Sequence, residues 1–101
     1  VIITEKDLDA CVRDLARLGG WRIYHTFDSR RSSAGFPDLV LLRPPRLVFV
    51  ELKSDRGRVS DEQSAWLDDL EQCGVEAYIW RPDDWPERIS KMLSRNGGPA
   101  K

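Results

Sequence analysis

Apolar residues at Leu8, Cys11, Val12, Leu15 and Leu18 return every three or four positions, the spacing of one buried helix face. Thr4 precedes that run as an N-cap, Glu5 and Asp7 put negative charge in the first turn, and Gly19-Gly20 ends it. Residues 21–27 alternate between apolar and polar, which predicts a half-buried strand. Two apolar runs, residues 39–42 and 47–50, flank Pro44-Pro45 and predict the neighbouring strands of a hairpin. The second run is apolar at successive positions, so both of its faces are expected to be covered. Ser60-x-x-Gln63 is a capping box that opens a second helix. Gln63, Trp66, Leu67, Leu70 and Cys73 share one face of it, with Trp66 expected in the core. Gly74 ends that helix, and residues 75–80 predict another strand. Strand, helix and strand in succession form a crossover unit, so this strand should run parallel to residues 47–50. Beyond the break at residues 81–84, Trp85, Ile89, Met92 and Leu93 suggest a short C-terminal helix. The order α-β-β-β-α-β, plus that helix, predicts an α/β domain with a four-stranded mixed sheet flanked by helices. One domain is expected over residues 1–101, its core at about 4–81 and its C-terminal helix at about 83–95.

Charge intrudes on this pattern at one place. The second hairpin strand runs into Glu51-Leu52-Lys53, where the i, i+2 spacing puts both ionisable groups on one face and Leu52 on the other. Asp38 opens the first hairpin strand directly after Pro37. Three charges beside a central strand are costly unless they pair or bind an ion, which points to chemistry. Carboxylates are hard oxygen ligands suited to Mg2+ or Mn2+. A lysine two residues along would sit near the attacking water or the phosphate, as metal-assisted phosphodiester hydrolysis requires.

Pro37-Asp38 followed by Glu51-Leu52-Lys53 is similar to the core of the PD-(D/E)xK nucleases. The longer string is Gly35-Phe36-Pro37-Asp38-Leu39, then Glu51-Leu52-Lys53-Ser54, then Ser60-x-x-Gln63-x-x-Trp66. It resembles the VRR-NUC family, the virus-type replication-repair nucleases. The short motif recurs by chance in charged chains, whereas the full string in this order is far more specific. The resemblance implies a PD-(D/E)xK restriction-endonuclease-like core and a Mg2+- or Mn2+-dependent endodeoxyribonuclease. Asp38, Glu51 and the backbone carbonyl of Leu52 would hold the metal, with Glu5 as a further ligand. Lys53 would position the water or the phosphate, and Gln63 and Glu5 would complete the catalytic set. The residues alone leave two roles open for Gln63, bending back to the Ser60 amide or facing the catalytic strand. Glu5 could equally be a first-turn carboxylate that offsets the helix dipole. With no partner domain in the sequence, the resemblance is to the stand-alone form. That form is associated with homodimers acting on branched DNA such as Holliday junctions, in replication, repair and recombination. The rivals are a flap, nicking or restriction-type nuclease on the same core, and an inactive DNA-binding module. Every acidic and lysine position of the motif is filled, which argues against the last.

A net charge of −1 at first argues against a nucleic-acid partner. The distribution changes the picture, since residues 30–58 carry seven basic and three acidic side chains, net +4, leaving −5 elsewhere. A local phosphate-binding face is expected, with Arg30, Arg31, Arg56 and Arg58 as DNA contacts. His25 reads as a strand-edge residue, and the Cys/His order needed for zinc is absent. Cys11 and Cys73 lack CxxC spacing and read as buried reduced thiols. That suits the cytoplasm of a bacterium or phage-infected cell rather than secretion. No apolar run approaches the ~20 residues of a membrane span, so no membrane partner is expected. Trp80, Trp85, Ile89, Met92 and Leu93 offer apolar surface for a dimer interface.

Overall fold

The computed structural model describes residues 3–26, 33–95 and 97. Helix α1 (Glu5–Leu18) starts at Thr4, whose Oγ1 accepts from the Asp7 amide while the Asp7 carboxylate accepts from the Thr4 amide. This reciprocal cap satisfies two backbone donors that the helix itself leaves unpaired. Strands β1 (Arg22–His25), β2 (Leu39–Arg43) and β3 (Arg46–Leu52) follow, then α2 (Asp61–Gln72) and β4 (Glu76–Trp80). A 3-10 turn at Pro82–Asp84 leads into α3 (Glu87–Leu93). The sheet order is β1-β2-β3-β4, with β1, β2 and β3 antiparallel and β4 parallel to β3. The predicted mixed sheet and its parallel closing strand are therefore both present. Phe27, expected at the end of the first strand, lies outside the described residues.

One face of the sheet carries the core. Leu39 and Leu41 of β2, Val48, Val50 and Leu52 of β3 and Trp80 of β4 pack with Leu8, Val12 and Ala16 of α1 and with Ile89 and Leu93 of α3. The opposite face is only partly covered. Helix α2 packs on β4 and buries Leu67 alone, while Val40, Leu47 and Phe49 stay partly exposed and Tyr24 and Leu42 are exposed. Strand β3 is thus not covered on both faces as its apolar run suggested. Alternation turns Leu47 and Phe49 to the α2 side, and one helix beside β4 does not extend over β2 and β1. For the same reason Trp66 is half-buried rather than core, and Cys73 is exposed at the end of α2.

Two further expectations are corrected. Trp80, Ile89 and Leu93 are buried in the core, and Trp85 and Met92 pack against it. Trp80, Ile89 and Leu93 therefore close the domain and offer no surface to a partner chain. The basic stretch does not form one face either. Arg43 lies 4.5 Å from the Trp21 ring centre and donates to the Gly19 carbonyl, while Arg46 pairs with both oxygens of Glu76 at 2.6 and 2.8 Å. Both sit at the hairpin turn, separated from the Glu51 end by the length of β3, about 20 Å. Among the described residues no helix is long and apolar enough to cross a membrane.

Candidate active site

The Glu51 end of β3 is where the motif residues meet. Asp38 and Glu51 arrive on adjacent antiparallel strands, one residue beyond the Leu39–Val50 pair, so they share a sheet face. The Asp38 Oδ2 accepts from the Leu52 amide at 2.8 Å. Within an extended strand the N–H and C=O of one residue point to the same side, so the Leu52 carbonyl also faces Asp38. Thr26 secures the approach to Asp38, its amide donating to the Asp38 carbonyl and its hydroxyl to the Pro37 carbonyl.

Glu51 is only 3% exposed. Its Oε2 accepts from Gln63 Nε2 at 3.0 Å and lies 3.7 Å from the Lys53 ammonium. The other end of the Gln63 amide accepts from the Ser60 backbone N–H at 2.9 Å. One side chain therefore fills both of the roles that stood open, helix cap and support of the catalytic strand. Burial, first, and then the adjacent Asp38 carboxylate push the Glu51 carboxyl up to about 8, against the pull of Lys53. Glu5 adds in the same direction from α1.

The first motif segment is pressed directly onto α2. Gly35 has φ +84°, and a Cβ there would lie 2.5 Å from the Glu62 carbonyl carbon and 2.8 Å from the Gln63 amide nitrogen. Only glycine tolerates both the backbone conformation and the approach. Phe36 stacks edge-on with Trp66 at 5.1 Å and with Phe49 at 6.1 Å, and Trp66 Nε1 donates to the Ala34 carbonyl. Trp66 thus locks the Gly-Phe-Pro-Asp segment to the helix that carries Gln63.

A cleft of about 150 Å³ opens beside Asp38, lined by Glu5, Lys6 and Asp9 of α1, His25 of β1, Asp38 and Leu52. Glu5 is thereby brought to the site, as expected. Lys6, Asp9 and His25 were not anticipated there. Asp9 follows Glu5 by one helical turn, the spacing that could have signalled it. Its Oδ2 pairs with Arg13 at 2.7 Å, while its Oδ1 is buried with no partner among the described residues. No sequence signal connects His25 to α1. Arg56 and Arg58 are exposed in the loop after β3, whereas Arg30 and Arg31 lie outside the described residues.

Among the described residues no three His, Cys, Asp or Glu side chains cluster tightly enough to hold a metal. Two carboxylates and the Leu52 carbonyl form a smaller, all-oxygen set. That fits Mg2+ or Mn2+, since Mg2+ commonly keeps several of its waters. The buried Glu51 carboxyl and the half-buried Asp38 beside it have the repulsion that a cation would relieve.

A mixed sheet with an Asp on one strand and Glu-x-Lys at the end of the next, flanked by helices at the acidic end, defines the PD-(D/E)xK nuclease fold. Residues 4–83 match the model of the VRR-NUC domain, and the chain belongs to that nuclease family. It is 37% identical over 62 residues to the Fanconi-associated nuclease 1 homolog of Schizosaccharomyces pombe, a match covering 52% of this chain and 9% of that much longer protein. A solved VRR-NUC domain protein superposes with a TM-score of 0.66 at 19% identity, over 83% of this chain and 82% of the other. The Holliday junction resolvase Hjc of Archaeoglobus fulgidus gives 0.51 at 22% identity, over 72% and 67%.

Proposed function

We propose that this protein is a divalent-metal-dependent endonuclease that hydrolyses phosphodiester bonds in branched DNA. The observation that carries the reading is the meeting of Asp38, Glu51 and Lys53 at one strand end, with Glu51 sealed from solvent beside a second carboxylate. Asp38, Glu51 and the Leu52 carbonyl would hold Mg2+ or Mn2+. Once bound, the ion would polarise a phosphate oxygen and lower the pKa of a water. Lys53 stabilises the negative charge that builds on the phosphate, at a position set by its contact with Glu51. Gln63 fixes the Glu51 rotamer, and Glu5 closes the α1 side of the cleft. Arg56 and Arg58 are exposed for phosphate contact. Likeness to a nuclease homolog and to a Holliday junction resolvase favours a branched DNA substrate.

Cleavage of four-way junction, flap, nicked and linear duplex DNA, each with Mg2+ and with Mn2+, tests this reading. Asp38→Asn and Glu51→Gln should each lower the rate at least about 100-fold with the fold intact. Lys53→Met should reduce turnover far more than DNA affinity. A carboxylate variant that cuts at close to the wild-type rate would overturn the ligand assignment. Equal cutting of linear duplex and junction would remove the branched-DNA specificity.

A further inference from the structure

Arg81 follows β4 directly, and its side chain reaches the loop that leaves β3. One guanidinium nitrogen, Nη1, donates to the Ser54 carbonyl at 2.8 Å, the Gly57 carbonyl at 2.8 Å and the Asp55 carbonyl at 3.4 Å. Carbonyls of three neighbouring residues converge on one atom only when the chain curls around it. Gly57 lies close against the start of the loop, where a Cβ would come within 3.3 Å of the Ser54 amide nitrogen. The Gly57 amide closes the turn onto the Ser54 carbonyl at 3.2 Å. Asp84 in turn fixes the Arg81 backbone, its Oδ2 accepting from the Arg81 amide at 2.9 Å. Charge-assisted hydrogen bonds of this kind are stronger than neutral ones. Among the described residues Arg81 has no carboxylate partner for its side chain, so its hydrogen bonds are spent on shaping this loop. The loop begins at Lys53 and carries Arg56 and Arg58.

We propose that Arg81 is a positioning residue for DNA engagement. By gathering the Ser54, Asp55 and Gly57 carbonyls it fixes where Arg56 and Arg58 stand relative to Lys53. The proposal rests on the nuclease reading above and adds to it a residue that acts through the loop rather than on the phosphate.

The test uses the full chain as wild type, Arg81→Ala, Arg81→Lys and Arg17→Ala. Arg17 pairs with Asp14 on the exposed side of α1, away from this loop, and serves as the control. Limited trypsinolysis at Arg56 and Arg58 reads the loop without reference to DNA. Binding of a synthetic four-way junction in Ca2+ reads engagement. Arg81→Ala should speed cleavage at those bonds about tenfold and weaken binding about five- to tenfold, with Arg81→Lys between it and wild type and Arg17→Ala unchanged. In an Arg56→Ala/Arg58→Ala background, Arg81→Ala should weaken binding no further, because its effect passes through those side chains. Should Arg81→Ala fail to fold, Arg81→Met, which keeps the aliphatic stem and removes all three hydrogen bonds, must reproduce both shifts. Wild-type trypsin rates in Arg81→Ala, or an equal binding loss with Arg56 and Arg58 already absent, would overturn the proposal. Wild-type protein that neither binds nor cuts DNA would overturn the function proposed above, and this role with it.

Discussion

Glu51 carries an unusual electrostatic load for a side chain in a central strand. An unperturbed glutamate titrates near 4.5, whereas burial and the Asp38 carboxylate hold this one up at about 8. Between those values the native state keeps a proton that the unfolded chain has released. Without metal, the contribution of Glu51 to stability is therefore complete below about pH 4 and is lost as pH rises towards about 8. Glu51→Gln removes the titration and keeps an acceptor for Gln63. It should equal wild type at low pH and exceed it by about 1–2 kcal/mol at pH 8 in EDTA, measured by thermal melting. A variant that melts below wild type at pH 8 would mean that the carboxylate is stabilised in place rather than strained. Asp38, Glu51, Lys53 and Gln63 are legible in the sequence because polar residues interrupt an otherwise apolar pattern at those positions. Asp9 is marked only by its one-turn spacing from Glu5, and His25 by nothing, because the β1 side of the cleft is made by packing that no spacing along the chain encodes.

At the scale of elements, the contact of the Gly35 segment with the first turn of α2 decides whether a site exists. Gly35→Ala meets both a positive φ and the Glu62 carbonyl, and is expected to cost about 2–4 kcal/mol. Gly20→Ala shares the positive φ with nothing within 4 Å, and should cost only about 1 kcal/mol. Urea unfolding of the two variants separates crowding from backbone strain, and equal losses would remove the close approach from the account. Both capping boxes and the hairpin are written locally and can be read from a few residues each. The extent of cover is not. Periodicity groups Trp66, Leu67 and Cys73 on neighbouring turns, but which of them meets the sheet depends on where α2 lands across β4. The same gap explains α3, whose apolar residues read as surplus until the open end of the core beneath them is known.

The molecule as a whole has sides of opposite character. Helix α2 carries Asp61, Glu62, Asp68, Asp69 and Glu71 with no lysine or arginine, which repels a phosphate backbone, while the Arg56–Arg58 loop attracts one. One chain holds one site, and resolving a junction takes two symmetric nicks, so a two-fold pair of chains is expected. Tyr24 and Leu42, exposed on the sheet face that α2 leaves open, are apolar side chains available to such a pairing. Cruciform plasmid should then pass directly to linear product, with sedimentation showing a dimer at micromolar concentration. A monomer that accumulates only open circles would leave a nicking nuclease.

The bond from the Lys53 amide to the Trp80 carbonyl has a consequence for synthesis. During translation Asp38, Glu51 and Lys53 emerge well before β4, and until β4 pairs, β3 is an edge strand that lacks the bond fixing Lys53. Glu5, Asp38, Glu51 and Gln63 come from four separate elements, so no fragment of the fold assembles them early. On the function proposed above, a chain interrupted before Trp80 would keep every acidic group of the site and lack the strand that fixes Lys53.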